Sequence, residues 1–527
     1  MKKGSSCIYD AFVRNSQQPK LLMGSSRCRF RKPNSYGVFP QRRFFFSKTA
    51  SVRRERLVLG IETSCDDTGV AIVREDGSIL AEAISSQYSV HQQYGGVVPR
   101  LAKFEHEKNL QVLLRQVMLD SGLMRHKENE KEAEASKEEA EGEEWKEAFR
   151  KLSAVAVTAG PGLALCLRVG LNEAKEMALR HSLPFIAVNH LEAHAMVARL
   201  THPHLRFPFL CLLISGGHTQ LLVAHDVGHF TFLGGTVDDS VGEAFDKTAQ
   251  LLGVYQQANM QKSAGALLEE MASQGDATRF LFTVPLKEHK NCDFSFAGLK
   301  TAVVRQMAKL SSSSIAPSFS ELQRKNPTLA TTASSTPFRI VTENSEKEAQ
   351  EETEPQQPEA KKDEAELQQI RCDIAASFQE CVVRHLEERT HRALSWCQQD
   401  NNGVLSLQAL VVCGYTCYFF HSPSIYPHFR TLHYNRGVAC NKRIRQMVQR
   451  LADNFQVECI FPPVRLCTDN GVMVAWTGME RLRKDLVDNA TTARFHPRWP
   501  LDTRQQQLFP PTSHHQHKSL QFSIKDL

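Results

Sequence analysis

Two histidines of this 527-residue chain, His190 and His194, lie four positions apart. On a helix, this spacing places both imidazoles on one face, where they can share a metal ion. Such a site needs at least one further protein ligand, and pairs at this spacing also occur on helix surfaces without a metal. Two other features of the sequence favour the metal site. A Gly-Gly-His turn that ends at His218 follows the pair, and an Asp-Asn-Gly sequence covers Asp469 to Gly471.

The segment from His190 to His194 is similar to the His-Glu-x-x-His signature of zinc peptidases, although its acid is displaced. Glu192 is the third residue of the segment, whereas the general base of that signature is the second. The histidine spacing therefore fits a metal site better than it fits a peptidase.

Two similar strand–turn–strand units are expected to carry the polar groups. The first is the strand Leu57–Glu62, an acidic turn and a returning strand from Gly69, and the second is Phe209–Ile214, the turn from Ser215 and a strand from Gln220. Their shared layout predicts a duplicated α/β architecture with a ligand between the halves.

The turns offer different chemistry. Asp66 and Asp67 are adjacent, so they point different ways and at most one is expected to contact reacting atoms; tandem acids can also serve only as turn formers. Backbone amides of Ser215 to Gly217 can cradle a phosphate. Asp246 can accept hydrogen bonds from a ribose, or it can belong to a solvated helix face.

Length and composition indicate a globular protein of two or three domains. There is no run of about 18 apolar residues to span a membrane, and the 14 cysteines lack paired spacing, so mostly reduced thiols are expected. Residues 1–56 carry 14 Lys and Arg against two acids, whereas the whole chain has a net charge of only +6. The other residues carry a net charge of −6, but without their two acidic stretches, 127–150 and 343–370, they carry +6. This mildly basic part permits an RNA partner without requiring one.

The composition predicts the following domain organisation. The Arg-rich, acid-poor residues 1–56 are typical of an organellar transit peptide, mitochondrial rather than plastid, although a basic tail that contacts RNA has the same composition. The remaining segments are an N-terminal α/β lobe (57–190) with an acidic insertion (127–150), a C-terminal α/β lobe (191–501) with a disordered insertion (311–370) and an unusual insertion (415–436), and a polar tail (502–527).

Eleven sequence blocks between Leu57 and Leu501, in this order and spacing, resemble the family that makes N6-threonylcarbamoyladenosine in tRNA, the TsaD type of bacteria and its mitochondrial relatives. The blocks are IETSCDDTG, GGVVP, TAGPGL, HLEAH, SGGHTQ, GEAFDKTAQLLG, DFSFAGLKT, DIAASFQ, GVACN, TDNGVMVAW and PRWPL.

This resemblance implies an α/β protein with the actin-like ATPase-domain (ASKHA) fold, in which two lobes enclose a nucleotide cleft. It implies transfer of the threonylcarbamoyl group from threonylcarbamoyl-AMP to the N6 amine of the adenosine beside the anticodon, in tRNAs reading codons that begin with A, with release of AMP. The implied partners are tRNA and threonylcarbamoyl-AMP, the implied assembly is a homodimer, and the implied location is the mitochondrial matrix, with a plastid-type organelle as the alternative.

The resemblance also implies roles for individual residues. One divalent ion, iron or zinc, is expected on His190, His194 and Asp469. Asp66 or Asp67 would orient or deprotonate the attacking amine, with Asp66 preferred because the family's second acid is often the longer Glu. The expected substrate contacts are Leu213, Ile214, Ser215, Gly216, Gly217, Asp246, Gly265, Glu269, Cys440, Asn441 and Thr468.

Three other interpretations compete with the transferase. A zinc metallopeptidase would use His190 and His194, and the family was formerly described as a sialoglycoprotein endopeptidase. A non-catalytic nucleotide-binding protein fits the insertion at 415–436, which separates two glycines where a tight nucleotide-binding turn is expected. A small-molecule kinase of the same fold is not supported by the metal ligands.

Overall fold

A computed structural model describes residues 55–91, 94, 96–125, 134–254, 264–311, 358–399, 406–414 and 438–502. They all belong to one compact unit. The expected transit peptide, the insertion at 415–436 and most of the polar tail lie outside these residues, so those predictions remain predictions.

The first sheet contains five strands in the order β3-β2-β1-β4-β5. They are β1 (Leu57–Glu62), β2 (Asp67–Arg74), β3 (Ile79–Ser86), β4 (Ala154–Gly160) and β5 (Phe185–Asn189). The first three form an antiparallel meander, whereas β4 and β5 run parallel to β1. The central strands are buried runs of aliphatic residues, as expected where helices cover both faces of a sheet.

The second sheet repeats this plan. Its strands are β6 (Phe209–Ile214), β7 (Thr219–Asp226), β8 (His229–Gly235), β9 (Ala409–Cys413) and β10 (Glu458–Ile460), in the order β10-β9-β6-β7-β8. Again an antiparallel meander is followed by two parallel strands. The predicted duplication is confirmed, and two sheets of the same topology agree with the two-lobed ASKHA fold that the resemblance implies.

Twelve α-helices cover the two sheets in the described part of the chain. They are α1 (Tyr88–His91), α2 (Pro99–Asp120), α3 (Glu134–Lys151), α4 (Ala164–His181), α5 (His190–Thr201), α6 (Val241–Leu251), α7 (Ala264–Ala272), α8 (Ala297–Ser311), α9 (Pro358–Gln399), α10 (Lys442–Phe455), α11 (Val464–Cys467) and α12 (Gly471–Leu482). None of these helices is long and apolar enough to cross a membrane.

Helix α12 departs from the predicted division into lobes. Residues 191–501 were assigned to the second lobe, but α12 packs on the first sheet, where Val474 and Met479 join the core formed with Val58 of β1. A Cβ atom on Gly60 would lie 2.3 Å from the carbonyl oxygen of Gly471, so the helix and strand β1 touch through their backbones. The chain therefore returns to the first lobe after completing the second.

Two segments predicted to be insertions contribute to the cores. The acidic segment 127–150 forms all but the last residue of α3, and Ala148 and Phe149 near its end are buried in the first core. The segment 311–370 was expected to be disordered, but α9 begins at Pro358 and buries Leu367 and Ile370. A few apolar side chains within a charged run are enough to dock a helix.

Candidate metal centre and active site

The two histidines begin helix α5, directly after strand β5. Asn189 caps this helix, and its side-chain oxygen accepts a hydrogen bond from the backbone N–H of Leu191 at 2.9 Å. His190 is the first helical residue and His194 lies about one turn further on, so both rings face the edge of the sheet. Asp469 lies between α11 and α12, where Asn470 caps the helix that follows.

The predicted metal ligands converge. The Oδ1 atom of Asp469 is 3.0 Å from Nε2 of His194 and 3.5 Å from Nε2 of His190. One ligand atom from each of the three residues lies within 4.8 Å of the others, and both histidines are buried. Two imidazole nitrogens and a carboxylate oxygen directed at one point form a donor set that suits iron or zinc.

Glu62, the last residue of β1, orients His190 and was missed by the sequence analysis. Its Oε2 atom is 3.2 Å from Nδ1 of His190, and its other oxygen accepts a hydrogen bond from the N–H of Ser64 at 2.6 Å. The hydroxyl of Thr158 donates a further hydrogen bond to Oε2. A carboxylate on Nδ1 leaves Nε2 of His190 free to bind a cation. A lone acid at the end of an apolar strand was the signal available in the sequence.

The cluster has the charge that a cation site needs. Burial alone would raise the pKa of Asp469, but His190 and His194 outweigh it and lower that pKa to about 2. Burial alone would lower the pKa of His190, but Asp469 and Glu62 raise it to about 9. The buried carboxylate is therefore ionised, and in the absence of a metal the proton on His190 balances its charge.

Glu192 faces away from the histidine pair. Its Oε1 atom accepts a hydrogen bond from the N–H of Gly228 at 2.7 Å, and Oε2 is 3.3 Å from a guanidinium nitrogen of Arg481. Since both oxygens are engaged elsewhere, Glu192 cannot activate a water molecule beside His190 and His194. This geometry argues against the peptidase interpretation.

The acidic turn lies beside the cluster. The hydroxyl of Ser64 is 3.2 Å from Nδ1 of His190, which places the turn next to the ligands. Burial, with the charge of Asp469 added, raises the pKa of Asp66 to about 6 despite a hydrogen bond with the thiol of Cys65. Asp67 is the first residue of β2 and only 1% exposed, whereas the side chain of Asp66 is partly exposed.

His106 of α2 holds both ends of the acidic turn, a role that the sequence analysis also missed. Its Nε2 atom is 3.0 Å from the carbonyl oxygen of Cys65, and its Nδ1 atom is 2.7 Å from the hydroxyl of Thr68. A carbonyl can only accept, so Nε2 carries the proton and Nδ1 accepts from Thr68. Burial lowers the pKa of His106, which keeps this neutral form in place.

The glycine turn of the second sheet is held by hydrogen bonds within the turn. The hydroxyl of Ser215 accepts hydrogen bonds from the N–H groups of Gly217 at 3.3 Å and His218 at 2.9 Å. A Cβ atom on Gly217 would meet nothing within 4 Å, so the turn borders open space. Burial, reinforced by the charges of His190 and His194, lowers the pKa of His218 to about 4, so His218 is neutral near the cluster.

Four predicted substrate contacts form a second group in the C-terminal lobe. The Oδ1 atom of Asp246 accepts a hydrogen bond from the N–H of Gly265 at 3.1 Å. Glu269 accepts one from the N–H of Lys442 at 2.7 Å, and the side chain of Asn441 caps the same helix α10 by accepting from Ile444. These bonds hold Asn441, four residues after Gly437, in a defined position.

The remaining predicted contacts are less accessible. Leu213 and Ile214 are fully buried in β6, so only their backbone can reach a ligand. Thr468 is fully buried, and its hydroxyl donates to the carbonyl of Arg465 at 3.2 Å. Cys440 is buried, and its Sγ atom accepts a hydrogen bond from Arg445 at 3.8 Å.

Comparison with known proteins identifies one family. A family model described as TsaD, tRNA N6-adenosine threonylcarbamoyltransferase, matches residues 78–127 and 143–476. A protein of Arabidopsis thaliana named probable tRNA N6-adenosine threonylcarbamoyltransferase, mitochondrial, is 37% identical over 487 residues, which are 89% of this chain and 82% of that protein. The mitochondrial protein of this name from Rattus norvegicus is 33% identical over 449 residues, with 85% and 86% covered.

A bacterial relative matches this chain over nearly the whole length of the bacterial protein. The tRNA N6-adenosine threonylcarbamoyltransferase of Anaplasma phagocytophilum (strain HZ) is 36% identical over 447 residues, which are 85% of this chain and 98% of that protein. The chain is therefore a transferase, and it belongs to the TsaD family of tRNA N6-adenosine threonylcarbamoyltransferases.

Proposed function

We propose that the protein transfers the threonylcarbamoyl group from threonylcarbamoyl-AMP to the N6 amine of the adenosine beside the anticodon, in tRNAs that read codons beginning with A, and releases AMP. The observation that carries this proposal is the convergence of His190, His194 and Asp469 beside a buried acidic turn, in a chain of the TsaD family. The coarser function, modification of tRNA by a transferase, follows from the family itself.

One divalent ion, iron or zinc, would be held by His190, His194 and Asp469, with Glu62 fixing the orientation of His190. The Nδ1 atom of His194 is buried and has no hydrogen-bond partner in the described part of the chain, so Nε2 is the nitrogen that faces the shared site. A bound ion would polarise a carbonyl or phosphate oxygen of the donor as a Lewis acid.

Asp66 would orient the adenosine amine and accept its proton. With a pKa of about 6, the Asp66 carboxylate is mostly ionised at neutral pH, yet it binds a proton far more readily than an ordinary aspartate. Asp67 is the less suitable acid because it is buried at the start of β2.

The glycine turn would receive the adenylate. The N–H of Gly216 would stabilise the charge that grows on the departing phosphate, whereas the N–H groups of Ser215 and Gly217 donate within the turn and would hold its shape. The group formed by Asp246, Gly265, Glu269 and Asn441 would contact the nucleoside, and Leu213, Ile214, Cys440 and Thr468 would contribute backbone or supporting contacts.

The deciding experiment incubates the purified protein with threonylcarbamoyl-AMP and unmodified tRNA and analyses the nucleosides. We expect threonylcarbamoyladenosine from the wild type and nearly none from Asp66→Ala, which should still bind the adenylate. Proteolysis without the modified nucleoside would support the peptidase, and nucleotide binding alone would support the non-catalytic protein. Full turnover by Asp66→Ala would remove the role assigned to that residue.

The homodimer and the organellar location are proposals of the same kind. Phe104 and Val112 on α2 are 61% and 62% exposed and lie eight residues apart, which puts two apolar side chains on one open helix face. A monomeric mass in solution would contradict the dimer. The mitochondrial names of relatives and the basic residues 1–56 support import into the mitochondrial matrix rather than a plastid, which an import assay tests.

A further inference from the structure

A segment beyond α12, Ala493–Trp499, runs along the edge of the first sheet where β4 and β5 end. The N–H of His496 donates to the carbonyl of Ala159 at 2.7 Å, and the carbonyl of Pro497 accepts from the N–H of Gly162 at 3.2 Å. The side chain of Lys175 donates to the carbonyl of Ala493 at 3.0 Å. These contacts fix the backbone of the segment at several points.

Close packing reinforces these bonds. A Cβ atom on Gly160 would lie 1.9 Å from the carbonyl oxygen of His496, so only glycine at this position lets the segment pass. Phe495 and Trp499 pack against the first core. The backbone of the segment is therefore part of the folded edge, although it contains no helix or strand.

The anchoring leaves two cationic side chains in solvent. Arg494 and Arg498 are both exposed, and neither makes a hydrogen bond or an ion pair with any residue that the structure describes. In contrast, Arg199 lies 3.2 Å from Glu480 and Arg481 lies 3.3 Å from Glu192. Unlike these two arginines, Arg494 and Arg498 have no carboxylate partner among the described residues.

The segment borders the metal centre. The carbonyl of Trp499 accepts a hydrogen bond at 3.0 Å from the side chain of Asn189, which caps the helix that begins with His190. Gly162 is followed by Leu163, whose N–H donates to the carbonyl of Ser64 at 2.8 Å. Hydrogen bonds through Asn189 and through Gly162–Leu163 thus connect the segment to the residues around the cluster. This is the edge where α/β sheets bind their ligands.

We propose that Arg494 and Arg498 contact phosphates of the tRNA strand that presents its adenosine to the cluster. This inference rests on the proposed function, and it adds the surface that receives the RNA. Guanidinium groups bind phosphates through paired hydrogen bonds, and a rigid backbone keeps the ordering cost of such contacts low. The small adenylate belongs to the glycine turn, so a pair of exposed arginines on the rim suits the larger polyanion.

Salt dependence of binding gives a direct test. The full chain would be titrated with unmodified tRNA at several salt concentrations, comparing the wild type with the double variant Arg494→Ala/Arg498→Ala. Each lost phosphate contact should reduce the slope of log affinity against log salt by about 0.7 and weaken binding roughly threefold. The KM for threonylcarbamoyl-AMP should not change.

Two further variants separate charge from structure. Arg494→Lys/Arg498→Lys keeps both charges and should retain most of the slope. Arg180→Ala removes an exposed arginine from the far end of α4, about 24 Å along the helix from its start, and should bind tRNA as the wild type does. Thermal unfolding of all variants would be compared in parallel.

The inference fails if the double alanine variant keeps the wild-type slope, or if Arg180→Ala reduces the slope equally. Its failure is distinguishable from failure of the proposed function. If the wild type makes threonylcarbamoyladenosine but the arginines do not matter, only this surface is wrong; if the wild type binds and modifies no tRNA, the function itself is wrong.

Discussion

The two sheets place turns of equal length at equivalent positions but give them different chemistry. Four residues separate β1 from β2, ending in Asp66, and four separate β6 from β7, ending in His218. The residue before the first turn is Glu62, a buried carboxylate that holds His190, whereas the residue before the second turn is Ile214, a core side chain. The two lobes share one arrangement of strands, but the first turn presents carboxylate side chains, whereas the second presents mainly backbone groups.

This difference suits the two substrates of the proposed reaction. An attacking amine needs a group that can take a proton, and the first turn supplies Asp66 with a pKa raised to about 6 by burial. A departing phosphate needs hydrogen-bond donors that add no competing charge, and the second turn would supply the N–H of Gly216 beside a neutral His218.

The largest expected effect concerns Glu62, which has no equivalent in the second lobe. Glu62→Gln keeps the size of the side chain but removes the charge that holds Nδ1 of His190. We expect metal affinity to fall about 10- to 100-fold, as for other residues that orient metal ligands, measured by competition with a chelator. Glu176→Gln on the exposed face of α4 serves as the control. An unchanged affinity would show that His190 holds its orientation without Glu62.

Asp66 offers a test of stability that depends on pH. Its pKa of about 6 in the folded protein exceeds the ordinary value of 3.8, so folding favours the protonated acid. The stability present below the unfolded pKa is lost as pH rises through 6. Asn does not ionise, so Asp66→Asn keeps this stability at high pH. The variant should be about 1–3 kcal/mol more stable than the wild type at pH 7.5, with a smaller difference at pH 4.5.

Urea unfolding at the two pH values measures this gain. Asp76→Asn should have the opposite effect and make the protein less stable than the wild type at pH 7.5. The reason is that Arg74 and Ser78 lower the pKa of that exposed carboxyl to about 2. A variant at Asp66 that is less stable than the wild type at pH 7.5 would mean that the acid is solvated or paired in solution.

The hydrogen bonds from His106 to the first turn should affect kcat more than they affect substrate binding. His106→Phe fills the same space but loses the bonds to Cys65 and Thr68, so the acidic turn can shift. A displacement well below 1 Å should reduce kcat about tenfold while the KM for the donor stays unchanged. His385→Phe removes a buried imidazole that accepts from the N–H of Ser295 in the other lobe, and it controls for lost stability. A change in KM alone would contradict the assigned role.

Sequence patterns predicted the parts of the site that are local. The spacing of His190 and His194 and the repeat of two hairpins are properties of short segments, so their helix face and the duplicated sheets could be expected. Glu62 and His106 act through contacts with residues 128 and 41 positions away, and no local pattern reveals such partners. Helix α12 was misplaced for the same reason, because chain order alone assigned it to the second lobe.

The smallest effect concerns the second turn, which is held by the cap of helix α6. The hydroxyl of Ser240 donates to the carbonyl of Gly216 and accepts from the N–H of Glu243 at 3.2 Å. Ser240→Ala should lower the free energy of unfolding by about 1 kcal/mol, as at other helix caps, and Ser240→Thr should restore most of it. Because the turn would bind the donor, KM for threonylcarbamoyl-AMP should rise while kcat changes less, the reverse of His106→Phe. If both variants changed the same kinetic constant, the division of chemistry between the two turns would not hold.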